Sequence, residues 1–315
     1  MEAFVLEPHI ASTVWGGRRL IEEYGVRTRL ANAAEAWLLS CHPSGESRGT
    51  GTRGGQTLTE ILRERPDYLG EHVEGAFPLL VKLIDARDDL SIQVHPTAES
   101  CAQSGHGQPK TECWLILEAE PGAELVLGFQ QDVTPEQVRT ALADDNLPYL
   151  LRRVPVRKND FFFIAAGTLH AIGKGILLAE VQQSSDTTYR LYDYNRLGLD
   201  GQPRPLHVEE ALACMDFRGH DLQDGSLASK HYKKTSAQTL CTCPEFTVRR
   251  HRFEQECVIM PKLDRFRALL VLEGVGELKQ GGESLMLHKG ACVFLPAGKW
   301  WYLLEGEMDV LEILP

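Results

Sequence analysis

The chain is written mostly in short apolar runs separated by turn residues. AFVLEP, AEAWLLSCH, PLLVKLI, LSIQVHP, CWLILEA, AELVLGF, DFFFIAAG and GILLAEVQQ follow one another, and FRALLVLEGVGEL, ACVFLPAG and DVLEILP close the sequence. Gly, Pro, Asp and Asn bound these runs, which is the pattern of many short strands in a sandwich or barrel. Helical signals are few and local. TLTEILRERPDYLGEH opens on a Thr-x-x-Glu cap, carries Ile61 and Leu62 on one face, and meets a break or new start at Pro66. TPEQVRTALADDNLPYLLRR has Thr134 as N-cap and Pro135 at the first helical position, and PLHVEEALACMDF is a third candidate. The predicted class is mostly β with short helical insertions.

The polar, Gly- and Ser-bearing stretch GHDLQDGSLASKHYKKTSA reads as a linker over 219–237. It divides an N-terminal unit, 1–218, from a smaller β unit, 238–315. An internal repeat supports the division: KNDFFFIAAGTLH from Lys158 aligns with KGACVFLPAGKWW from Lys289 at a constant offset of 131 residues. Phe163 meets Phe294 and Gly167 meets Gly298. His170 in the first copy is replaced by Trp301 in the second, so any chemistry at His170 is absent from the C-terminal copy.

Composition narrows the partners. With 315 residues, 43% hydrophobic and 24% charged, the chain is an ordinary globular sequence, and its net charge of -11 argues against nucleic acid. An anionic substrate therefore needs locally placed Lys and Arg. The start, MEAFVLEPHIAS, lacks the basic and apolar regions of a signal peptide, and no apolar run nears the roughly 18 residues of a membrane span. Eight scattered cysteines fit free thiols in a reducing cytoplasm. Cys241 and Cys243, with Cys257 beyond, are not spaced as a CxxC zinc site.

Four positions have the chemistry of metal ligands on strands or strand ends: Gln93 and His95 in SIQVHP, Glu112 in KTECWLIL, and His170 in GTLHAIG. Strand alternation puts Gln93 and His95 on one face, with Ile92 and Val94 on the other. Imidazole, carboxylate and amide oxygen form a borderline-hard set suited to zinc and also to manganese or iron. A lone inward histidine is more often a hydrogen-bonded core residue, and a lone strand Glu or Gln usually faces solvent. The residues by themselves leave both readings open.

FPLLVKLIDARDDLSIQVHP, GQPKTECWLIL, GTLHAIGKGILLAEVQQSSDTTYRLYDYNR and EAWLLS resemble the type I mannose-6-phosphate isomerases of the cupin superfamily, in their short bacterial form, and the resemblance is densest over 77–196. The resemblance implies two cupin-type jelly-roll barrels, the second degenerate and without metal ligands. It implies a divalent metal, usually zinc with manganese or cobalt as substitutes, on Gln93, His95, Glu112 and His170. It implies interconversion of mannose 6-phosphate and fructose 6-phosphate through an enediol, a small sugar phosphate as partner, and no nucleic acid or membrane. Arg190 matches the family's active-site arginine, Lys82 and Lys110 match basic residues beside the metal, and Glu180 and Asp186 match acidic residues of the pocket. Either lysine is expected to serve as acid or base if burial and the nearby cation lower its pKa. Arg196 is expected to brace Asp193, Ser91 and Arg190 are candidates for the phosphate, His106 reads as a loop residue, and Tyr189, Tyr192 and Tyr194 read as hydrophobic wall. Ala34 stands where the family has glycine, in a turn expected to lie away from the metal. A sugar-phosphate-binding cupin without turnover is the alternative, and an oxygenase would more typically carry an HxH arrangement. The sequence leaves monomer and homodimer open.

Overall fold

Strand Leu79–Ala86 explains the architecture, because all eight of its residues are buried. It lies inside a six-stranded antiparallel sheet ordered Phe161–Ile164, Glu112–Ala119, Ile176–Gln183, Leu79–Ala86, Glu35–Leu39, His9–Ala11. Both faces of this sheet are covered. Val81, Leu83, Leu115, Ala179 and Val181 point one way, into a core shared with Phe246, Ala268, Leu270 and Ile313 of the C-terminal part. Ile84, Trp114, Ile116 and Leu178 point the other way, toward Leu125, Leu127 and Ile172. Those last residues belong to a five-stranded sheet ordered Tyr189–Tyr192, Ile92–Val94, His170–Ile172, Glu124–Phe129, Leu151–Pro155. The six- and five-stranded sheets enclose the interior where the candidate site lies. This is a computed structural model that describes residues 1–71, 73, 75–219, 236–260 and 264–315, so the predicted linker falls, apart from its ends, outside the described residues.

A nine-stranded sheet forms the third layer. It contains every described strand from Ser236–Thr242 to Tyr302–Leu314, and it is completed by Phe4–Glu7 and Arg48–Gly49 from the N-terminal end. Phe4 lies opposite Phe294, and Leu6 opposite Cys292. The chain thus closes its last sheet with its first strand, a pairing that local periodicity does not encode. Phe294 stacks between Phe4 at 5.3 Å and Phe266 at 5.2 Å, and Phe266 stacks on Phe77 at 5.0 Å. These aromatic pairs tie both ends of the chain to the back of the central sheet.

The helices start where their caps predict. Thr57 and Glu60 form a reciprocal capping box ahead of Leu58–Glu64, and Pro66 opens a short 3-10 turn. Thr134 caps Pro135–Ala143 with Gln137 as its partner, and Val208–Cys214 is the third predicted helix. Two helices were not expected, the four-residue Arg19–Glu22 and Ala98–Ser104. Ala98–Ser104 occupies the segment read as soft loop; Thr97 and Ser100 cap it and Gly105 ends it in the left-handed region. None of its residues is buried, so no apolar period marks it in the sequence. The repeated segments both form a strand, a turn and a second strand: Phe161–Ile164 before His170–Ile172, and Cys292–Leu295 before Tyr302–Leu314. Among the described residues, no helix is long and apolar enough to cross a membrane.

Phe294 is fully buried at the joint between the chain's ends. Phe294→Ala is expected to cost about 3–5 kcal/mol in urea unfolding through the cavity it leaves. A loss below about 1 kcal/mol would show that the stack does not hold the sheets together.

Candidate metal centre and pocket

His95, Glu112 and His170 meet between the two inner sheets, all three buried, with their ligand atoms within 4.8 Å of one another. His95 follows strand Ile92–Val94, His170 opens its neighbour, and Glu112 opens a strand of the opposite sheet. Each imidazole is oriented from behind. Nδ1 of His95 donates to the Thr187 carbonyl at 2.9 Å, and Nδ1 of His170 to the Thr168 carbonyl at 2.8 Å. A carbonyl only accepts, so Nδ1 carries the proton and Nε2 presents its lone pair in both rings. Those lone pairs face Glu112 at 3.3 and 3.5 Å.

Protonation follows from burial. Burial and the Lys110 ammonium, against the pull of Glu112, push His95 down to about 3, and burial likewise lowers His170. Both rings are therefore neutral near pH 7. Burial opposes ionisation of Glu112, yet Lys110 and His95 outweigh it and hold the carboxyl well below the usual range. Lys110 Nζ stands 2.8 Å from Glu112 Oε2 and 3.0 Å from His95 Nε2. Among the described residues, neither Glu112 oxygen nor His170 Nε2 has a hydrogen-bond partner of good geometry. The unpartnered His170 lone pair and Glu112 carboxylate, with the His95 lone pair shared only with Lys110, fit a divalent cation, and the nitrogen–oxygen donor set suits zinc.

The pocket above these groups has a volume of about 330 Å³. Gln93, opposite His170 across the sheet, contributes to its wall and accepts a hydrogen bond from Ser91 Oγ at 3.2 Å. Ile92 and Val94 face away, into an apolar core. Lys82 is at the centre of the opposite wall, with Glu180 beside it on one neighbouring strand and Trp37 on the other. Its ammonium is 3.2 Å from Glu180, 3.4 Å from Glu35 and 4.9 Å from the Trp37 ring centre.

This arrangement corrects one expectation. Burial alone would lower the Lys82 pKa, but Glu35, Glu180 and Glu112 together raise it above the usual lysine range. Lys82 is a fixed cation, not a free base. Burial and Glu112 raise Glu180, against Lys82 and Lys110, while Trp114 Nε1 donates to Glu180 Oε2 at 2.9 Å.

The remaining sequence candidates lie toward the mouth. Arg190 lines the pocket, donates to the Pro205 carbonyl at 2.8 Å, and has a buried Nε without a partner among the described residues. Asp186 is half-exposed, accepts from Ser44 Oγ at 2.7 Å and stands 3.6 Å from His42 Nε2. Arg196 pairs with Asp193 at 2.8 Å, and Arg204 shares the same carboxylate. His106 is on the exposed side and Tyr192 bonds to Asp145, both away from the pocket lining.

Four groups escaped sequence reasoning: Glu35, His42, Ser44 and Arg204. Glu35 had a signal, since it shares a strand face with Trp37, which donates to it at 2.6 Å. Glu35 lines the pocket, whereas Ala34 before it packs into the apolar core.

Comparison with known proteins agrees with this geometry. The family model for the phosphomannose isomerase type I catalytic domain matches residues 3–113, and that for the mannose-6-phosphate isomerase cupin domain matches 236–315. A mannose-6-phosphate isomerase of Streptococcus mutans is 33% identical over 98% of this chain and 97% of its own. The chain belongs to the type I phosphomannose isomerase family. ManA of Bacillus subtilis, also a mannose-6-phosphate isomerase, is 33% identical over 98% of both chains. A crystal structure of the Bacillus subtilis mannose 6-phosphate isomerase superposes with a TM-score of 0.89 at 32% identity, covering 99% of each chain. A zinc-bound mannose 6-phosphate isomerase shares the fold at 18% identity, with a TM-score of 0.79 over 99% of both chains. The two cupin barrels expected from the resemblance are the fold of this family.

Removing Lys82 strands the buried Glu180 and the part-buried Glu35, so Lys82→Met is expected to cost about 3–5 kcal/mol at pH 7 in urea unfolding. Glu35 is depressed in the parent, where burial opposes ionisation but Lys82 and Trp37 prevail. Its stabilising share is present above the ordinary value of 4.5 and is lost as pH falls through the lower folded value. The gap between parent and variant should therefore narrow below pH 4.5; a pH-independent gap would contradict the pairing.

Proposed function

We propose that this chain is a metal-dependent aldose–ketose isomerase that interconverts mannose 6-phosphate and fructose 6-phosphate. One observation carries the reading: three buried donors, the two imidazoles oriented from behind and Glu112 and His170 Nε2 lacking hydrogen-bond partners in front, converge beside a pocket edged by lysine and arginine. His95, Glu112 and His170, with Gln93 as fourth donor, would hold one divalent ion. Zinc is the first choice from the donor set, with manganese or cobalt as substitutes.

Bound there, the ion would supply Lewis acidity toward the sugar's reacting oxygens. The chain's own residues do the rest. Lys110 and Arg190 add fixed positive charge beside the oxyanion that develops as a proton passes between C1 and C2. Glu180, raised by burial and by Glu112, is assigned to carry that proton, because its pKa is shifted toward the working pH. Lys82 holds Glu180 and Glu35 in place. Asp186, with His42 and Ser44 around it, is assigned to the mouth, where the closed sugar ring would open. Ser91 and Arg190 remain the candidates for the phosphate.

The division into an N-terminal catalytic unit (1–218) and a C-terminal unit without metal ligands (238–315) is part of the proposal. Trp301, more than half exposed, stands at the repeat position of buried His170. Eight cysteines present as thiols favour a reducing cytoplasm.

A coupled assay following fructose 6-phosphate, with and without chelator, tests the reading. Turnover should vanish on chelation and return with zinc, manganese or cobalt. His95→Ala should lose both metal and turnover, whereas Arg190→Ala should keep the metal and lose about 10²-fold in kcat. Chelator-resistant turnover would remove the metal from the mechanism. Metal retention without turnover in the parent would favour a binding protein.

A further inference from the structure

The C-terminal unit holds a second cluster of reactive side chains, far from the pocket in sequence and unused by the isomerase. Cys257 Sγ is 3.8 Å from His251 Nδ1, and His251 Nε2 is 3.0 Å from Glu312 Oε2. Glu312 is buried and is itself fixed, by Arg267 at 2.8 Å and Arg249 at 3.6 Å. The two halves of the relay come from one interrupted strand. Thr247–Phe253 and Glu256–Ile259 both pair with Tyr302–Leu314, and the break at 254–255 lets two side chains six residues apart meet. Cys257 packs on its apolar side against the core containing Phe253, Ile259 and Leu304, yet it is only part-buried.

We propose that Cys257 is a thiol-modification site for hydroperoxides, activated by a Cys257–His251–Glu312 relay. A nucleophile, a base within reach and a carboxylate that orients the base are the parts of an activated thiol. Electropositive, partly open surroundings are where reactive cysteines occur. Burial opposes charge on His251, but Cys257 and Glu312 outweigh it and raise the imidazole to about 9, so a cation faces the sulfur at neutral pH.

The step balances without further reagents. The Cys257 thiolate attacks the terminal oxygen of the hydroperoxide, forming an S–O bond as the O–O bond breaks. Sulfur is oxidised by two electrons to the sulfenic acid, and the peroxide is reduced to an alcohol or water. The leaving oxygen takes its proton from the His251 imidazolium.

Most other thiols of the chain are disfavoured. Burial pushes Cys41, Cys214 and Cys292 up to about 12 and Cys243 to about 11. Cys241 is the competitor, since a hydrogen bond from Cys113 lowers it.

The test treats the reduced, intact enzyme with hydrogen peroxide, traps sulfenic acid with dimedone, and reads each cysteine by peptide mass spectrometry. Cys257 should label at least about tenfold faster than any of the other seven, and His251→Gln, with an unchanged thermal midpoint, should slow it by at least about tenfold. A smaller advantage in the parent, or faster labelling at Cys241 or Cys101, overturns the proposal. So does a folded His251→Gln protein that labels within that factor. If the variant does not fold, the comparison among parent cysteines decides alone.

Discussion

A sheet buried on both faces cannot leave a charge unanswered, and the central sheet carries several. Glu35, Lys82, Glu112 and Glu180 all project from it into the space beneath the five-stranded sheet, with Lys110 at its edge. Each ionised group costs several kcal/mol to desolvate unless it is paired. Three carboxylates face two ammonium groups there. The histidines cannot make up the difference, because burial keeps them neutral. Among these contacting groups one carboxylate is left over, with Arg190 and Arg204 elsewhere in the pocket lining, and Glu112 lies where two imidazole lone pairs already point. A divalent cation resolves the imbalance and the unsatisfied donors together. The same balance keeps Lys82 protonated and Glu180 raised, so charge placement in the pocket follows from one electrostatic requirement.

That requirement needs a rigid wall. Lys82 and Glu180 face each other across adjacent strands, and a slip of either strand by one residue would put the two on opposite faces. The nine-stranded sheet prevents this from behind. Phe246, Phe266, Phe294 and Leu270 pack against the outward side chains Val81, Leu83, Leu115 and Val181 in a single core. The C-terminal part, whatever else it does, is the backing that fixes the pocket wall. Strand Phe4–Glu7 crosses into that backing, so the two parts are stitched by chain as well as by packing.

How much of this was legible in the sequence depends on the range of the interaction. Period-two alternation puts Gln93 with His95, and Lys110 with Glu112, on shared faces, and the Lys110 and Glu112 side chains meet at 2.8 Å. Caps at Thr57 and Thr134 mark their helices because the signal lies within four residues. What failed was non-local. Lys82 was open as acid or base on the condition that burial lowered its pKa, since nothing near it in sequence says that Glu35 and Glu180 flank it. Arg204 and His42 come from loops whose approach to the pocket is decided by the fold. Helix Ala98–Ser104 was missed for the opposite reason: it buries nothing, so only its Thr97–Ser100 cap could have announced it.

The two halves of the internal repeat show how one scaffold is committed to different chemistry by charge alone. In the first, carboxylates outnumber fixed cations around neutral imidazoles, an interior that attracts a divalent ion. In the second, Arg249, Arg267 and a raised His251 surround the single carboxylate Glu312. A divalent cation placed there would meet three positive neighbours, and the only histidine in the cluster already spends Nε2 on Glu312. Arg249, Arg267 and His251 thus give the second cluster the electropositive surroundings in which reactive thiols occur.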